Sequence, residues 1–130
     1  MTDTPPIREG LEITTADAAA ALNAGSACVL DVRLAEELST ARIGEPIHIP
    51  LHELPERLED LSDDLEDRGQ PEVLVLCHHG VRSLKATLML HEVGITSARS
   101  IVGGIEAWSQ TVDPEVPRYQ RDGSQCTIVS

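Results

Sequence analysis

Short apolar runs alternate with segments of helical periodicity along most of this 130-residue chain. The apolar runs, which are typical of buried strands, lie at 27–31, 47–49, 73–77 and 98–102. The segments expected to be helical are 16–23, 34–39, 51–61 with a new helix beginning at Pro55, 83–93 and 104–110. Strands without polar alternation indicate a parallel sheet covered on both faces. The pattern predicts an α/β fold: a parallel sheet of about five strands with helices on both faces.

The two ends of the chain differ from this alternating middle. Residues 1–10 contain two prolines and a glycine and are expected to form a flexible lead-in. Prolines and a glycine recur from residue 113 onward, which indicates an extended tail, flexible over 120–130. One ordinary domain is therefore expected over residues 11–119.

Composition narrows the class of protein. The formal net charge of −12 repels nucleic-acid phosphates and anionic membranes, so neither is an expected partner, whereas a basic protein face is compatible with it. Three cysteines form no disulfide framework and fit a reducing compartment. The first ten residues show no secretory signal, and no apolar stretch approaches the ~18 residues of a membrane helix. We expect a cytoplasmic protein.

The strand at 73–77 ends in a cysteine and leads through a short polar loop into a helix. Cys77 is the last residue of the expected strand, and Arg82 and Ser83 stand where the next helix begins. Gly80 gives so short a loop the conformational freedom to curl. Ligands of parallel sheets bind at this carboxyl end of the strands.

A curled loop that runs into a helix points several backbone N–H groups at its centre. The helix N-terminus adds partial positive charge, and Arg82 adds a full one, so the loop should favour a thiolate at Cys77. The same donors would hold thiosulfate or the outer sulfur of a persulfide. The competing interpretation is that Cys77 is only a small buried hydrophobe, although the polar loop after it is poor core material.

Several motifs carry a resemblance to a known family. The loop Cys77–Ser83 (CHHGVRS) resembles the active-site loop of rhodaneses. Asp31–Arg33, with Glu37 four residues later, is similar to the family's D-V-R-x-x-x-E motif, and Gly103–Trp108 to its closing G-G-x-x-x-W element. The stretch 113–119 looks like the tail of rhodanese domains fused to activating enzymes for ubiquitin-like sulfur carriers.

The resemblance implies a sulfurtransferase and assigns roles to particular residues. Cys77 would be the persulfide-forming nucleophile and Arg82 would close the loop, while Asp31 would hydrogen-bond the loop or Arg82. An ion pair between Arg33 and Glu37 would be structural. The remaining residues implied to contact substrate are His78, His79, Gly80, Val81 and Ser83.

The resemblance also implies what the protein binds. It implies a small-molecule sulfur donor such as thiosulfate and a thiophilic acceptor, with a sulfur-carrier protein or its activating enzyme as a further partner. It implies no organic cofactor and no metal. Cys77, His78 and His79 could suggest a metal site, but three consecutive residues rarely converge on one ion.

Three further hypotheses stay open at this point. The domain could be a sulfur-relay or binding module that docks on a protein and turns over small molecules poorly. A phosphatase-like enzyme is a second alternative, although phosphatases of related shape place five residues between Cys and Arg, and only four separate Cys77 from Arg82. Finally, Cys126 in the tail could resolve or relay the persulfide.

Overall fold

The computed structural model describes residues 7–123 and 125–129. Five parallel strands form one sheet: β1 (Glu12–Ile13), β2 (Ala27–Asp31), β3 (Ile47–His48), β4 (Glu72–Leu76) and β5 (Arg99–Ile101). Their order across the sheet is β1-β5-β4-β2-β3. The predicted α/β fold with a parallel sheet of about five strands is thereby confirmed.

The helices lie where the helical periodicity predicted them. They are α1 (Thr15–Asn23), α2 (Ala35–Thr40), α3 (Leu58–Asp67), α4 (Val81–Glu92) and α5 (Gly104–Thr111), with a 3₁₀ helix over Leu51–Arg57. The 3₁₀ helix contains Pro55, which has no N–H for α-helical bonding, and α3 follows it. Helix α4 begins two residues earlier than expected, directly after Gly80. The loop that follows β4 is therefore only four residues long.

Side chains of β4 alternate between two hydrophobic cores. Val73, Val75 and Cys77 point to the face covered by the 3₁₀ helix, α3 and α4. Leu74 and Leu76 point to the opposite face, which is covered by α1 and α5. Because β4 is the central strand and is buried on both faces, its carboxyl end is held from both sides of the sheet.

The C-terminal residues form an element that the sequence did not predict. Strands β6 (Arg118–Asp122) and β7 (Gln125–Val129) pair antiparallel, with Tyr119 opposite Ile128. An extended tail was expected here, but side-chain contacts of Tyr119 and Val116 join this segment to the core beside α5. The flexibility predicted for 120–130 stays a prediction, as does that of the lead-in 1–10, of which residues 1–6 lie outside the described part.

None of the helices in the described ranges combines the length and the apolar character that a membrane span requires.

Candidate active site

Cys77 directly follows β4, at the carboxyl end of the sheet's central strand. Its residue surface is only 1 % exposed, and it contacts the core beneath α4. Burial alone would fit a cysteine that is merely a small hydrophobe. The polar groups around its sulfur decide between the two interpretations.

The loop after Cys77 curls so that backbone donors converge on the sulfur. Gly80 has φ +104°, a left-handed conformation that a side chain would strain. The N–H of Gly80 lies 3.0 Å from Cys77 Sγ, and the N–H of Ser83 lies 3.3 Å from it. Ser83 is in the first turn of α4, whose N–H groups have no partner within the helix. The sulfur thus takes the place of an N-cap acceptor, at the positive end of the helix.

Two serine hydroxyls extend this polar contact. The thiol donates to Ser83 Oγ at 3.2 Å, and Ser83 Oγ lies 2.7 Å from Ser100 Oγ on β5. A hydroxyl both donates and accepts, so that of Ser83 can turn to donate once the thiol has lost its proton. Ser100 was not among the predicted site residues. The signal for it was a small polar residue within the strand that was expected to be buried at 98–102.

Helix α5 holds the loop from the other side. The N–H of Ile105 donates to the carbonyl oxygen of Cys77 at 2.9 Å, and that of Glu106 donates to the carbonyl of His78 at 3.2 Å. The close approach of α5 to the loop requires a glycine at position 104, because a Cβ on Gly104 would lie 2.5 Å from the Cys77 carbonyl oxygen. The G-G-x-x-x-W element therefore acts as a backbone clamp on the nucleophile's own peptide.

Arg82 is directed differently from the expectation. Its guanidinium donates to both carboxylate oxygens of Glu37, at 2.7 and 2.9 Å, instead of to the sulfur. Glu37 is fully buried in α2, whereas the Arg82 side chain is 21 % exposed. The hydrogen bonds and charge of Glu37 raise the pKa of Arg82. The positive charge that Arg82 brings to the loop is thus paired with the buried carboxylate of Glu37.

Asp31 also has a different partner from the one expected. It accepts hydrogen bonds from the guanidinium of Arg33, the shortest at 2.7 Å, and both side chains are fully buried. The expected ion pair of Arg33 with Glu37 is replaced by a bond to the Glu37 backbone carbonyl at 3.2 Å. In the D-V-R-x-x-x-E motif, the glutamate and not the aspartate reaches the loop.

Glu37 joins the loop to the C-terminal hairpin. The hydroxyl of Tyr119 on β6 donates to Glu37 Oε2 at 2.6 Å. Burial by itself would raise the pKa of Glu37, but hydrogen bonds from Arg82 and Tyr119 lower it to about 2. Neither Glu37 nor Tyr119 was predicted as part of the site. The sequence signal for Glu37 was its position in the D-V-R-x-x-x-E motif. The signal for Tyr119 was that it is the single tyrosine of the chain.

The two loop histidines have different surroundings. His78 is 7 % exposed, its ring stacks on Tyr119 at 4.0 Å, and burial lowers its pKa, which favours the neutral imidazole. His79 is exposed and stacks on His78, while Val81 is 66 % exposed at the start of α4. A cleft of about 550 Å³ is lined by residues of the loop, α5 and the hairpin. Its lining residues include His78, His79, Glu106, Arg118, Tyr119 and Arg121.

The other cysteines lie away from these donors. Cys28 is half-buried in β2, and burial raises the pKa of its thiol, which disfavours the nucleophilic form. Cys126 is half-buried in β7, opposite Arg121. Within the described ranges, no group of three or more His, Cys, Asp or Glu side chains is arranged to hold a metal ion.

The chain is similar in sequence to proteins of a known family. The model of the rhodanese-like domain family matches residues 14–111. The chain is 42 % identical over 92 residues to the adenylyltransferase and sulfurtransferase MOCS3-1 of Zea mays, covering 70 % of this chain and 20 % of that protein. It is 35 % identical over 101 residues to MOCS3 of Arabidopsis thaliana, covering 70 % and 22 %. The chain thus spans about a fifth of the length of these curated relatives.

Solved structures show the same fold. A rhodanese-related protein from Thermoplasma volcanium superposes with a TM-score of 0.67 at 32 % identity, covering 78 % of this chain and 93 % of that one. The human single-domain sulfurtransferase TSTD1 superposes with a TM-score of 0.65 at 24 % identity, covering 77 % and 96 %, which shows the fold alone. The family match covers most of the chain and includes the cysteine loop and the glycine clamp. The chain therefore belongs to the rhodanese-like domain family.

Proposed function

We propose that this domain is a sulfurtransferase that carries a sulfane sulfur on Cys77. In the first step the Cys77 thiolate attacks the outer sulfur of a donor such as thiosulfate. A bond forms between that sulfur and Sγ, the S–S bond of thiosulfate breaks, and sulfite leaves with the electron pair. In the second step a thiophilic acceptor attacks the outer sulfur of the persulfide, and the electron pair returns to Sγ.

The observation that carries this proposal is the convergence of two backbone N–H groups on Cys77 Sγ, at 3.0 and 3.3 Å. Donors fixed in advance favour the anionic sulfur over the thiol and need no reorganisation when it forms. They also supply the local positive field that an anionic donor requires in a chain of net charge −12. A buried cysteine with a purely packing role has no use for such donors.

The contacts of Arg82 assign it an indirect part in this proposal. Since its guanidinium is bound to Glu37, much of its charge is offset within the protein. Arg82 therefore acts chiefly by fixing the first turn of α4, in which Ser83 lies. The amides of the loop and the dipole of α4 provide most of the stabilisation of the sulfur.

A protein acceptor is the second part of the proposal. Relatives named adenylyltransferase and sulfurtransferase contain this domain as about a fifth of their length. The tail at 113–119 resembles that of rhodanese domains of sulfur-carrier activating enzymes, and the net charge of −12 suits a basic partner face. We propose a sulfur-carrier protein or its activating enzyme as the physiological acceptor.

Intact-protein mass spectrometry after incubation with thiosulfate tests the carrier. We expect a mass increment of one sulfur atom that peptide mapping locates on Cys77. The matched controls are Cys28→Ser and Cys126→Ser, which should keep the increment, while Cys77→Ser should lose it. An increment that persists in Cys77→Ser would overturn the assignment.

The kind of acceptor is tested by discharging the persulfide. Cyanide should release the sulfur as thiocyanate and restore the original mass. If cyanide and small thiols leave the persulfide intact and only a protein acceptor discharges it, the domain is a relay module instead of a small-molecule enzyme.

A further inference from the structure

The C-terminal hairpin lies outside residues 14–111, which the family model matches, yet it contacts the cysteine loop. Its contact residue is Tyr119, which is 3 % exposed and belongs to the core beside α5. Burying a phenol requires a partner for its hydroxyl. Tyr119 has two such partners, and both belong to the D-V-R-x-x-x-E motif.

Tyr119 touches or supports both ends of the loop. Its ring lies parallel to that of His78 at 4.0 Å and 8°, and His78 directly follows the nucleophile. Its hydroxyl accepts from Arg33 Nη1 at 3.1 Å and donates to Glu37 Oε2 at 2.6 Å. Glu37 in turn binds the guanidinium of Arg82, which precedes Ser83. One side chain of the hairpin therefore reaches the residue after Cys77 and, through Glu37, the residue before Ser83.

We propose that Tyr119 is a positioning residue for the sulfur transfer, which keeps the N–H groups of Gly80 and Ser83 directed at Cys77 Sγ. This inference rests on the proposed function. It extends the working site beyond the family's matched residues to the C-terminal hairpin. The reason is geometric. A short loop with a glycine at its centre keeps its conformation only if both of its ends are held in place, and these ends are His78 and Arg82.

The hydroxyl has a role that the ring alone does not fill. A hydrogen bond to a carboxylate is among the stronger ones in proteins, and this bond helps keep Glu37 ionised. Without it, Glu37 keeps Arg82 and the N–H of Leu34 as hydrogen-bond partners, with Arg121 Nε on β6 at 3.9 Å from Oε1, and its pKa should rise toward the ordinary range. Protonation of Glu37 would then release Arg82 at a higher pH than in the native chain.

The test compares the native chain with Tyr119→Phe, which keeps the ring and removes the hydroxyl. The matched control is Thr127→Ala, which removes an exposed hydroxyl from the same hairpin. We expect persulfide formation from thiosulfate to slow by about tenfold in Tyr119→Phe, the scale of one lost hydrogen bond to a charged group. We also expect the acid limb of its pH profile to move to higher pH, a change that a purely structural role would not cause. Thr127→Ala should show neither effect.

A second readout does not depend on sulfur transfer. At about pH 9 an exposed thiol is largely ionised, so alkylation of a buried cysteine reports how often its surroundings open. We expect iodoacetamide to alkylate Cys77 several times faster in Tyr119→Phe, with the rate at Cys28 unchanged as the internal control for global unfolding.

The results of these experiments distinguish a failure of the positioning role from a failure of the proposed function on which it rests. A native chain that gains no sulfur on Cys77 refutes the proposed function, and the alkylation rates then decide on the positioning role alone. Native rates of alkylation and of persulfide formation in Tyr119→Phe, with an unshifted pH profile, overturn the role of Tyr119.

Discussion

A buried carboxylate is stable only where its charge is matched, and Glu37 meets this condition with partners from three parts of the chain. Arg82 comes from the loop, Tyr119 from the hairpin and the N–H of Leu34 from the start of its own helix. These bonds lower its pKa to about 2, from an ordinary value of 4.5. A depressed carboxylate pKa stabilises the fold at any pH above the ordinary value, and this contribution is lost as the pH falls toward 2.

We therefore expect Glu37→Gln to lower the free energy of unfolding by about 3 kcal/mol at neutral pH, because it leaves Arg82 without its counter-charge. The difference from the native chain should shrink below about pH 4.5 and vanish near pH 2. Urea unfolding followed by Trp108 fluorescence measures it. Glu36→Gln, an exposed change one position earlier on α2, is the control and should show no such pH dependence. A pH-independent loss in Glu37→Gln would contradict the assigned ion pair.

Variants of Ser83 and Ser100 distinguish an effect on the stability of the fold from an effect on the reaction. Ser83→Ala removes a hydroxyl from Sγ and leaves the buried hydroxyl of Ser100 without that partner, at a cost of about 1–3 kcal/mol. The double variant Ser83→Ala with Ser100→Ala should recover much of that stability, because both partners are then gone. Persulfide formation should stay slow in both variants. Recovery of the rate together with the stability would mean that the Ser83 hydroxyl does not act on the sulfur.

At the scale of elements, two helices hold the loop that follows β4. Helix α4 presents N–H groups to the sulfur, while α5 binds the carbonyl oxygens of the same loop. The nucleophile is thus fixed through its own backbone by one helix and through its side chain by another.

A glycine substitution at the clamp tests this arrangement. In Gly104→Ala the new methyl group would meet backbone carbonyl oxygens that have no room to move, so we expect a loss of about 3 kcal/mol and of persulfide formation. Gly94→Ala is the matched control: its φ is also positive, at +89°, but no atom lies within 4 Å of the added carbon. It should cost only about 1–2 kcal/mol of backbone strain and keep the activity. Equal effects of both variants, in thermal unfolding and in mass increment, would argue against the clamp.

The sequence predicted elements better than it predicted contacts between them. Largely apolar runs located β2, β4 and β5 to within one residue, because such strands are buried on both faces. The partner of Arg82 is a glutamate 45 positions away, and no periodicity encodes that distance. For the same reason the sequence alone favours Asp31 over Glu37 as the residue of the motif that contacts the loop. The hairpin was missed because its strands are mostly exposed and polar, with Tyr119 as the single deeply buried side chain.

At the scale of the whole molecule, the net charge of −12 opposes the approach of an anionic donor, whereas the loop amides attract it over a short range. Raising the ionic strength from about 0.01 to about 0.15 M shortens the screening length from about 30 to about 8 Å. We expect kcat/KM for thiosulfate to increase about two- to tenfold over this range, because the long-range repulsion is screened first. Steady-state assays measure it, and alkylation of Cys77 by iodoacetamide, an uncharged reagent whose rate should not change, is the control. A decrease for thiosulfate would mean that the local field of the loop extends beyond the site.

The depth of Cys77, of whose surface only 1 % is exposed, has a kinetic consequence. Because so little of its surface is accessible, a donor can reach the sulfur only during excursions in which the residues around it move. The frequency of those excursions is an upper bound on turnover, whatever the reactivity of the thiolate. Donors of very different intrinsic reactivity would then converge on one limiting rate at saturation, and that shared rate would be a property of the protein's motion rather than of sulfur chemistry.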